Sequence, residues 1–320
     1  MKQPLLLCAA MVGLCAAAPA PAPSTKPALA PVEIVAAAPA ADWAPIAPSD
    51  LLVMDLAPDA KGAARRVVIQ LLPAPFSQGW IGNIRKLAAT KWWDGTSINR
   101  VQDGYVVQWG DADGEDKAKA KPLPAGMRVV PQEDYTVDIR TFFMPMIDGP
   151  KHSMGWQATL GIDSYNTVAH LASGWPIAEE QERVFPVHCY GTVGVGRDYP
   201  PDTGSGAELY TVIGQAPRQL DQNIAVVGRV IEGMEHLSSL PRGTGDIGFY
   251  KTAEERTPIL AIRIGTEVPD LPRYQYLSTE SKSFAAYADA RANRRDAFYV
   301  RPAGGVDICN VPVPVRRLQG

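Results

Sequence analysis

An arginine and a glutamine lie eight residues apart in a segment whose pattern is typical of a β-strand. Apolar residues alternate over 105–109, and strict alternation of this kind indicates a half-buried strand. Because successive side chains of a strand point to opposite faces, Arg100 and Gln108 are predicted to share one face with Val106. A cation and an amide on an apolar wall suit a shallow groove that holds a peptide.

Other chemistry-bearing patterns are weaker. His152, His170 and His188 are spaced evenly, but no cysteine or carboxylate cluster accompanies them with metal-ligand spacing, so we expect no metal. The glycine pairs within 194–196 and 204–206 do not open a helix after a strand with a following Lys-Ser/Thr, so they favour turns over a phosphate loop. No Gly-x-Ser-x-Gly motif is present. The sequence therefore predicts a site without cofactor.

Composition limits the function classes. The chain has 320 residues, a formal net charge of -3 and 46% hydrophobic residues. That length allows one or two domains, and the near-neutral balance offers no basic footprint for nucleic acid. Plentiful Pro and Gly favour turns over long helices.

Many short strands with few helices predict a mainly β fold. The pattern favours a closed eight-stranded antiparallel barrel capped by two α-helices. Strands are predicted over 51–56, 66–72, 97–101, 104–109, 135–140, 209–213, 224–230 and 259–264, and helices over 80–88, around 234–240 and over 283–295.

The first 48 residues are interpreted as targeting and linker sequence. Lys2 followed by an apolar run over 5–18 predicts a signal peptide over 1–20, and hence a periplasmic or secreted protein. The run is too short for a membrane span, and Leu14 makes a lipid anchor at Cys15 unfavourable. The Ala/Pro-rich segment 21–48 is predicted to be a linker without a core.

Two cysteines would remain after removal of the signal peptide, Cys189 and Cys309. An oxidising compartment permits a disulfide between them, which would tie the C-terminal tail to the core. The alternative is two buried free thiols that pack as small apolar side chains.

Five blocks in order resemble the cyclophilin peptidyl-prolyl cis-trans isomerases. The resemblance covers about 62–268 and implies a cyclophilin-like domain over 49–268 with an insertion over 112–184. A C-terminal extension with a short helix then occupies 269–320. The blocks are the strand and helix at 67–88, Asp94-Gly95-Thr96 with Asn99-Arg100-Val101, the run 104–111, the pair 191–197 and 201–210, and the pair 220–221 and 226–234.

The resemblance implies that Arg100 is catalytic and that Gln108 assists it. Rotation about a peptide C–N bond has a barrier of ~18–20 kcal/mol, and the proline nitrogen gains a lone pair as the bond twists. A guanidinium that binds the twisted state better than the planar one lowers that barrier. The resemblance also implies substrate-binding roles for Tyr105, Val106, Val195, Gly196, Arg197, Glu208, Tyr210, Leu220 and Ile224.

Several positions depart from the family pattern, three of them at positions that bear on activity. Glu208 replaces a glutamine, and an ionised carboxylate accepts hydrogen bonds but donates none. We hypothesise that Glu208 pairs with Arg100 and reduces the activity. Gln219 and Ile224 replace an aromatic residue and a histidine. The sequence thus predicts a monomeric isomerase for proline-containing clients, or alternatively a weakly active or inactive peptide-binding or chaperone module.

Overall fold

The computed structural model describes residues 28–142, 163, 165–166 and 168–318. The α-helices that lie wholly among them are α1 (Pro31–Ala37), α2 (Gln78–Ala89), α3 (Glu235–Ser238) and α4 (Lys282–Ala292). The strands are β1 (Trp43–Ile46), β2 (Leu51–Leu56), β3 (Arg65–Leu71), β4 (Ser97–Val101), β5 (Val106–Gly110), β6 (Val137–Asp138), β7 (Val168–Ala172), β8 (Trp175–Glu180), β9 (Arg183–Pro186), β10 (Thr192–Val195), β11 (Leu209–Val212), β12 (Val226–Glu232), β13 (Thr257–Ile264), β14 (Tyr274–Leu277) and β15 (Val315–Arg317).

Eight of the strands close into one antiparallel barrel. Their order is β10-β11-β5-β4-β13-β2-β3-β12, and β12 pairs back to β10. This confirms the predicted mainly β barrel. Large side chains fill its interior and its capped end, among them Trp80, Trp93 and Trp109, which are fully buried. Burial of one large apolar side chain stabilises the fold by about 1.5–3 kcal/mol.

Helix α2 lies against the barrel and fixes two loops. Its apolar positions, spaced three and four apart, bury Trp80, Ile84 and Leu87. The Asn83 side chain donates to the carbonyls of Arg128 and Ser205 and accepts from the Arg128 amide, all at 2.9–3.0 Å. This one amide therefore joins the helix to the loops on either side of it.

The predicted insertion over 112–184 contributes a second sheet. Strands β6, β9, β8 and β7 pair antiparallel in that order. The strand predicted over 135–140 is shorter than expected, because a 3-10 turn occupies Gln132–Tyr135 and only Val137–Asp138 joins the sheet.

The segment before the barrel is not the predicted linker. From Pro31 the chain forms α1, and Trp43–Ile46 forms β1, which pairs with Tyr274–Leu277. Alanine is the best helix former, Pro31 suits a first helical turn, and β14 offers a strand edge to pair with. The proposed signal peptide and Cys15 lie outside the described residues.

The C-terminal extension packs on the same layer. Strand β14 pairs with β1 on one side and with β15 on the other, and α4 confirms the predicted short helix. A shared apolar cluster joins the extension to the inserted sheet through Trp43, Phe185, Leu277 and Phe284. No described helix meets the length and hydropathy that a membrane crossing requires.

A disulfide joins this layer to the barrel. Cys189 and Cys309 are bonded, with their Cα atoms 5.0 Å apart and a sequence separation of 120. The bridge predicted as one of two alternatives is thus confirmed. In the chain-entropy model, a closed loop of that order contributes about 4–5 kcal/mol.

Candidate functional site

Arg100 and Gln108 lie opposite each other on neighbouring barrel strands. They are register partners between β4 and β5, and Arg100 Nη1 donates to Gln108 Oε1 at 3.2 Å. Arg100 Nη2 also donates to Gln102 Oε1, and its Nε donates to the Ile247 carbonyl at 2.9 Å. All three acceptors are neutral groups, so the guanidinium is oriented without being neutralised.

Two aromatic rings lie against the same guanidinium. The Arg100 Cζ atom is 5.8 Å from the ring centre of Tyr105 and 5.4 Å from that of Phe249. Burial lowers the pKa of Arg100, yet a guanidinium stays protonated in proteins. Removal from water strengthens the interactions that this charge can make.

Residues paired in strand register place the site on three neighbouring strands. Gln108 pairs with Tyr210 of β11, and Tyr210 pairs with Gly194 of β10. Residues directly opposite in a sheet share a face, so Arg100, Gln108 and Tyr210 project to one side. The shared face predicted for Arg100, Gln108 and Val106 is therefore present.

An apolar cluster lies beside this row on the outer face of the barrel. Val106, Tyr210 and Val212 are buried in it, and Tyr105, Leu220 and Ile224 pack against them partly buried. We call the surface formed by this cluster with Arg100 and Gln108 the groove. An apolar surface with one oriented cation and one amide can contact a small ring and an adjacent polar bond.

The hydroxyl of Tyr210 belongs to a buried hydrogen-bond chain. It lies 2.9 Å from His188 Nε2, and His188 Nδ1 lies 2.9 Å from Asp221 Oδ1. Arg218 Nε donates to Asp221 Oδ2 at 2.6 Å, so a cation closes the chain. Gly194 leaves the room for the phenol, since a Cβ there would lie 2.3 Å from the Tyr210 hydroxyl.

The sequence analysis did not predict this buried hydrogen-bond chain. His188 drew attention only as one of three spaced histidines, and Asp221 only as part of a motif block. Their contacts join positions 22 and 33 residues apart, which no local pattern reveals. The available signal was the hydroxyl of Tyr210, which requires a partner once it is buried.

Glu208 does not pair with Arg100, so the hypothesised ion pair is wrong. Register explains the difference, because Tyr210 faces Gln108 while Leu209 faces Trp109, which moves Glu208 along to Gly110. A Cβ on Gly110 would lie 2.0 Å from Glu208 Oε1. The carboxyl therefore occupies space beside a residue without a side chain.

The environment of Glu208 favours its neutral form. Burial raises the pKa of the carboxyl to about 7, although the Asn99 and Gln108 side chains and the Asp111 amide favour ionisation. The Glu208 carbonyl accepts from the Gly196 amide at 2.9 Å, so Gly196 lies beside it. Below its pKa the carboxyl carries a proton and can donate a hydrogen bond, as a glutamine does.

Two predicted substrate-binding residues have other contacts. Val195 is fully buried and belongs to the barrel core rather than to the groove cluster. Arg197 donates from Nε and Nη2 to the Asn223 carbonyl and from Nη1 to the Asp198 carbonyl. Arg197 thus ties the loop after β10 to the loop that follows Leu220.

Most of the barrel lies within a segment that matches a known family model. The family model for cyclophilin type peptidyl-prolyl cis-trans isomerase/CLD matches residues 66–264, which is more than half of the chain. No curated protein matches the sequence.

The fold is similar to that of one solved cyclophilin. The chain is 18% identical to cyclophilin AquaCyp293 from Hirschia baltica, with a TM-score of 0.61 over 86% of this chain and 93% of that one. A cyclophilin type isomerase from Cryptosporidium parvum, crystallised in the presence of the dipeptide Ala-Pro, is 12% identical with a TM-score of 0.36. That match covers 66% of this chain and 98% of the other.

Proposed function

This chain belongs to the cyclophilin-type peptidyl-prolyl cis-trans isomerases, and from that premise we propose that Arg100 catalyses isomerisation of X-Pro bonds in extracytoplasmic proteins. The observation that carries the proposal is the row formed by Arg100, Gln108 and Tyr210, with an apolar cluster beside it. A proline ring packed on that cluster would place the preceding peptide bond next to the guanidinium.

Some groove residues bind the substrate, and another catalyses the reaction. Tyr105, Val106 and Tyr210 supply apolar contact for the ring, which holds the substrate in either isomer. Gln108 is placed to hydrogen-bond the substrate backbone while its Oε1 orients Arg100. Interactions that are equally strong with the planar and the twisted amide do not change the barrier, so we assign the acceleration to Arg100.

Arg100 acts on the twisted amide. As resonance is lost, the proline nitrogen becomes a hydrogen-bond acceptor, and a guanidinium N–H directed at it stabilises the transition state. Arginine has five N–H groups, of which the contacts to Gln102, Gln108 and Ile247 use three. Two N–H groups therefore remain for the substrate without loss of the orienting contacts. The reaction needs no nucleophile and no proton transfer.

The extracytoplasmic part of the proposal rests on the disulfide and on the sequence of the N-terminus. Disulfides such as Cys189–Cys309 persist in oxidising compartments. The apolar run over 5–18 after Lys2 is typical of an export signal. A fusion of residues 1–48 to a reporter that is active only outside the cytoplasm tests this part separately, and cytoplasmic retention of the reporter would contradict it.

A protease-coupled assay on a proline-containing peptide anilide tests the catalytic part. Arg100→Ala should lower kcat/KM by about 10²-fold or more, the loss typical of removing one transition-state donor. Arg85→Ala is the matched control, because Arg85 lies on α2 and pairs with Asp50 away from the groove. Equal activity of Arg100→Ala and the unmodified chain would remove Arg100 from the mechanism. Peptide binding without isomerisation in the unmodified chain would instead favour a binding module.

A further inference from the structure

A second concave site lies away from the groove. A cavity of about 370 Å³ separates the barrel from the inserted sheet and the C-terminal extension. The Cys189–Cys309 disulfide forms part of its wall, and Trp175 of β8 and Val313 of the extension lie on other sides. Its volume falls at the lower end of the range for small-molecule sites, and no groove residue lines it.

The charged side chains that line the cavity are all positive. Arg229 of β12 and Arg291 of α4 both line the cavity, and none of its lining residues is an aspartate or glutamate. Apolar side chains such as Leu171 and Val313 make up most of the remaining wall. A ligand that complements this surface has an anionic end and an apolar body.

Arg229 is held only by neutral acceptors. Its Nε and Nη2 donate to Gln70 Oε1 at 3.0 and 2.7 Å, and its Nη1 donates to the Gly174 carbonyl at 2.6 Å. Within the described part of the chain no carboxylate lies within 4.0 Å of it, since it forms none of the ion pairs found there. Of its five N–H groups, two remain.

The cation is also partly removed from water. Its Cζ atom is 4.5 Å from the ring centre of Trp175, and burial lowers the pKa of Arg229 to about 10. At neutral pH the group is still charged. A buried charge is costly unless a partner of opposite sign or several hydrogen bonds compensate it, and a carboxylate that reached Arg229 would provide both through two charge-assisted hydrogen bonds.

We propose that this cavity binds a small organic carboxylate with an aliphatic body, whose carboxylate pairs with Arg229. The aliphatic part lies along the apolar wall between Trp175 and Val313. Arg291, which is half-buried and donates to the Asn310 carbonyl, adds positive potential at the same wall. This site is separate from prolyl isomerisation and does not depend on it.

Calorimetric titration of the full chain with decanoate tests the proposal. We expect saturable binding at a ratio of one, and binding at least tenfold weaker for 1-decanol, which has the same chain without the charge. Arg229→Met should weaken decanoate binding at least tenfold and leave 1-decanol binding unchanged. Arg273→Met is the matched control, because Arg273 is exposed and does not line the cavity, and it should bind decanoate as the unmodified chain does.

A second variant protects the test against misfolding of Arg229→Met. Val313→Trp places bulk at the cavity wall and keeps Arg229, so it should abolish binding of both ligands while isomerase activity persists. The proposal is overturned if decanoate does not bind at about 1 mM, the weak end of the affinity scale. It is equally overturned if decanoate binds Val313→Trp or Arg229→Met with unchanged affinity.

Discussion

The groove and the cavity each contain one half-buried arginine that lies against an aromatic ring without an acidic partner. Arg100 faces Tyr105 and Phe249, while Arg229 faces Trp175, and each is held by neutral oxygens. Two other arginines of the barrel differ, since Arg66 pairs with Asp55 and Arg263 with Asp94. A carboxylate neutralises the charge of each of these two, whereas the charges of Arg100 and Arg229 stay available for a ligand.

The two sites differ in how they are built. The groove belongs to a single sheet, and register pairs across β4, β5 and β11 fix its main side chains. The cavity is assembled from the barrel, the inserted sheet and the extension, which the disulfide holds together. A change to the assembly should therefore affect the cavity more than the groove.

Removal of the disulfide should produce the largest effect. Cys189→Ser with Cys309→Ser is expected to lower the free energy of unfolding by about 2–5 kcal/mol, as measured by urea denaturation. At temperatures where the variant stays folded, decanoate affinity should fall while kcat/KM for the peptide changes less than twofold. A parallel loss of both activities would show that the groove also depends on the extension.

Removal of the Tyr210 hydroxyl should have an intermediate effect, and that effect should be confined to the groove. Tyr210→Phe leaves the ring in the pocket but leaves buried His188 without that partner, which costs about 1–3 kcal/mol of stability. Decanoate binding should not change. Tyr105→Phe is the matched control, because Tyr105 is half-buried and outside the His188 chain. Equal stability of the two variants would contradict a structural role for the hydrogen-bond chain through His188.

Titration of Glu208 should give the smallest effect. Because the folded-state pKa is raised to about 7, the neutral donor form dominates below that pH. Peptide kcat/KM should therefore rise a few-fold, on the order of threefold, from pH 8 to pH 6. The stability from neutral Glu208 is complete below its unfolded pKa and is lost as pH rises through about 7.

Glu208→Gln is the control for that titration. It keeps a donor at every pH, so its kcat/KM should be flat across the same interval and close to the value of the unmodified chain at pH 6. A pH profile for Glu208→Gln that matches the unmodified chain would assign the titration to another group.

The sequence allowed the barrel and the groove to be predicted because their signals are local. Alternation located β5, and the motif blocks placed Arg100, Gln108 and Tyr210 in one site. Contacts between distant segments were not predictable in the same way. The Ala/Pro-rich composition of 21–48 concealed β1, because its partner strand begins at Tyr274. The register between β11 and β5 places Tyr210 opposite Gln108, so Glu208 lies two residues further along, beside Gly110.

The cavity could not be predicted from the sequence for a related reason. Arg229 lies within a motif block, but its meaning depends on Gln70, Gly174 and Trp175, which three separate strands and turns bring together. The absence of a nearby carboxylate is a property of the assembled structure. No pattern along the chain records it.

The pairing of β1 with β14 has a consequence for the order of folding. The chain is synthesised from its N-terminus, so Trp43–Ile46 is made long before Tyr274–Leu277, the strand against which it pairs. At about 5–20 residues per second, the wait lasts on the order of tens of seconds. The last barrel strand ends at Ile264, only ten residues before β14 begins, so the barrel is incomplete for most of that time. We therefore expect Trp43, which is buried in the folded protein, to stay exposed on the nascent chain until the extension is made.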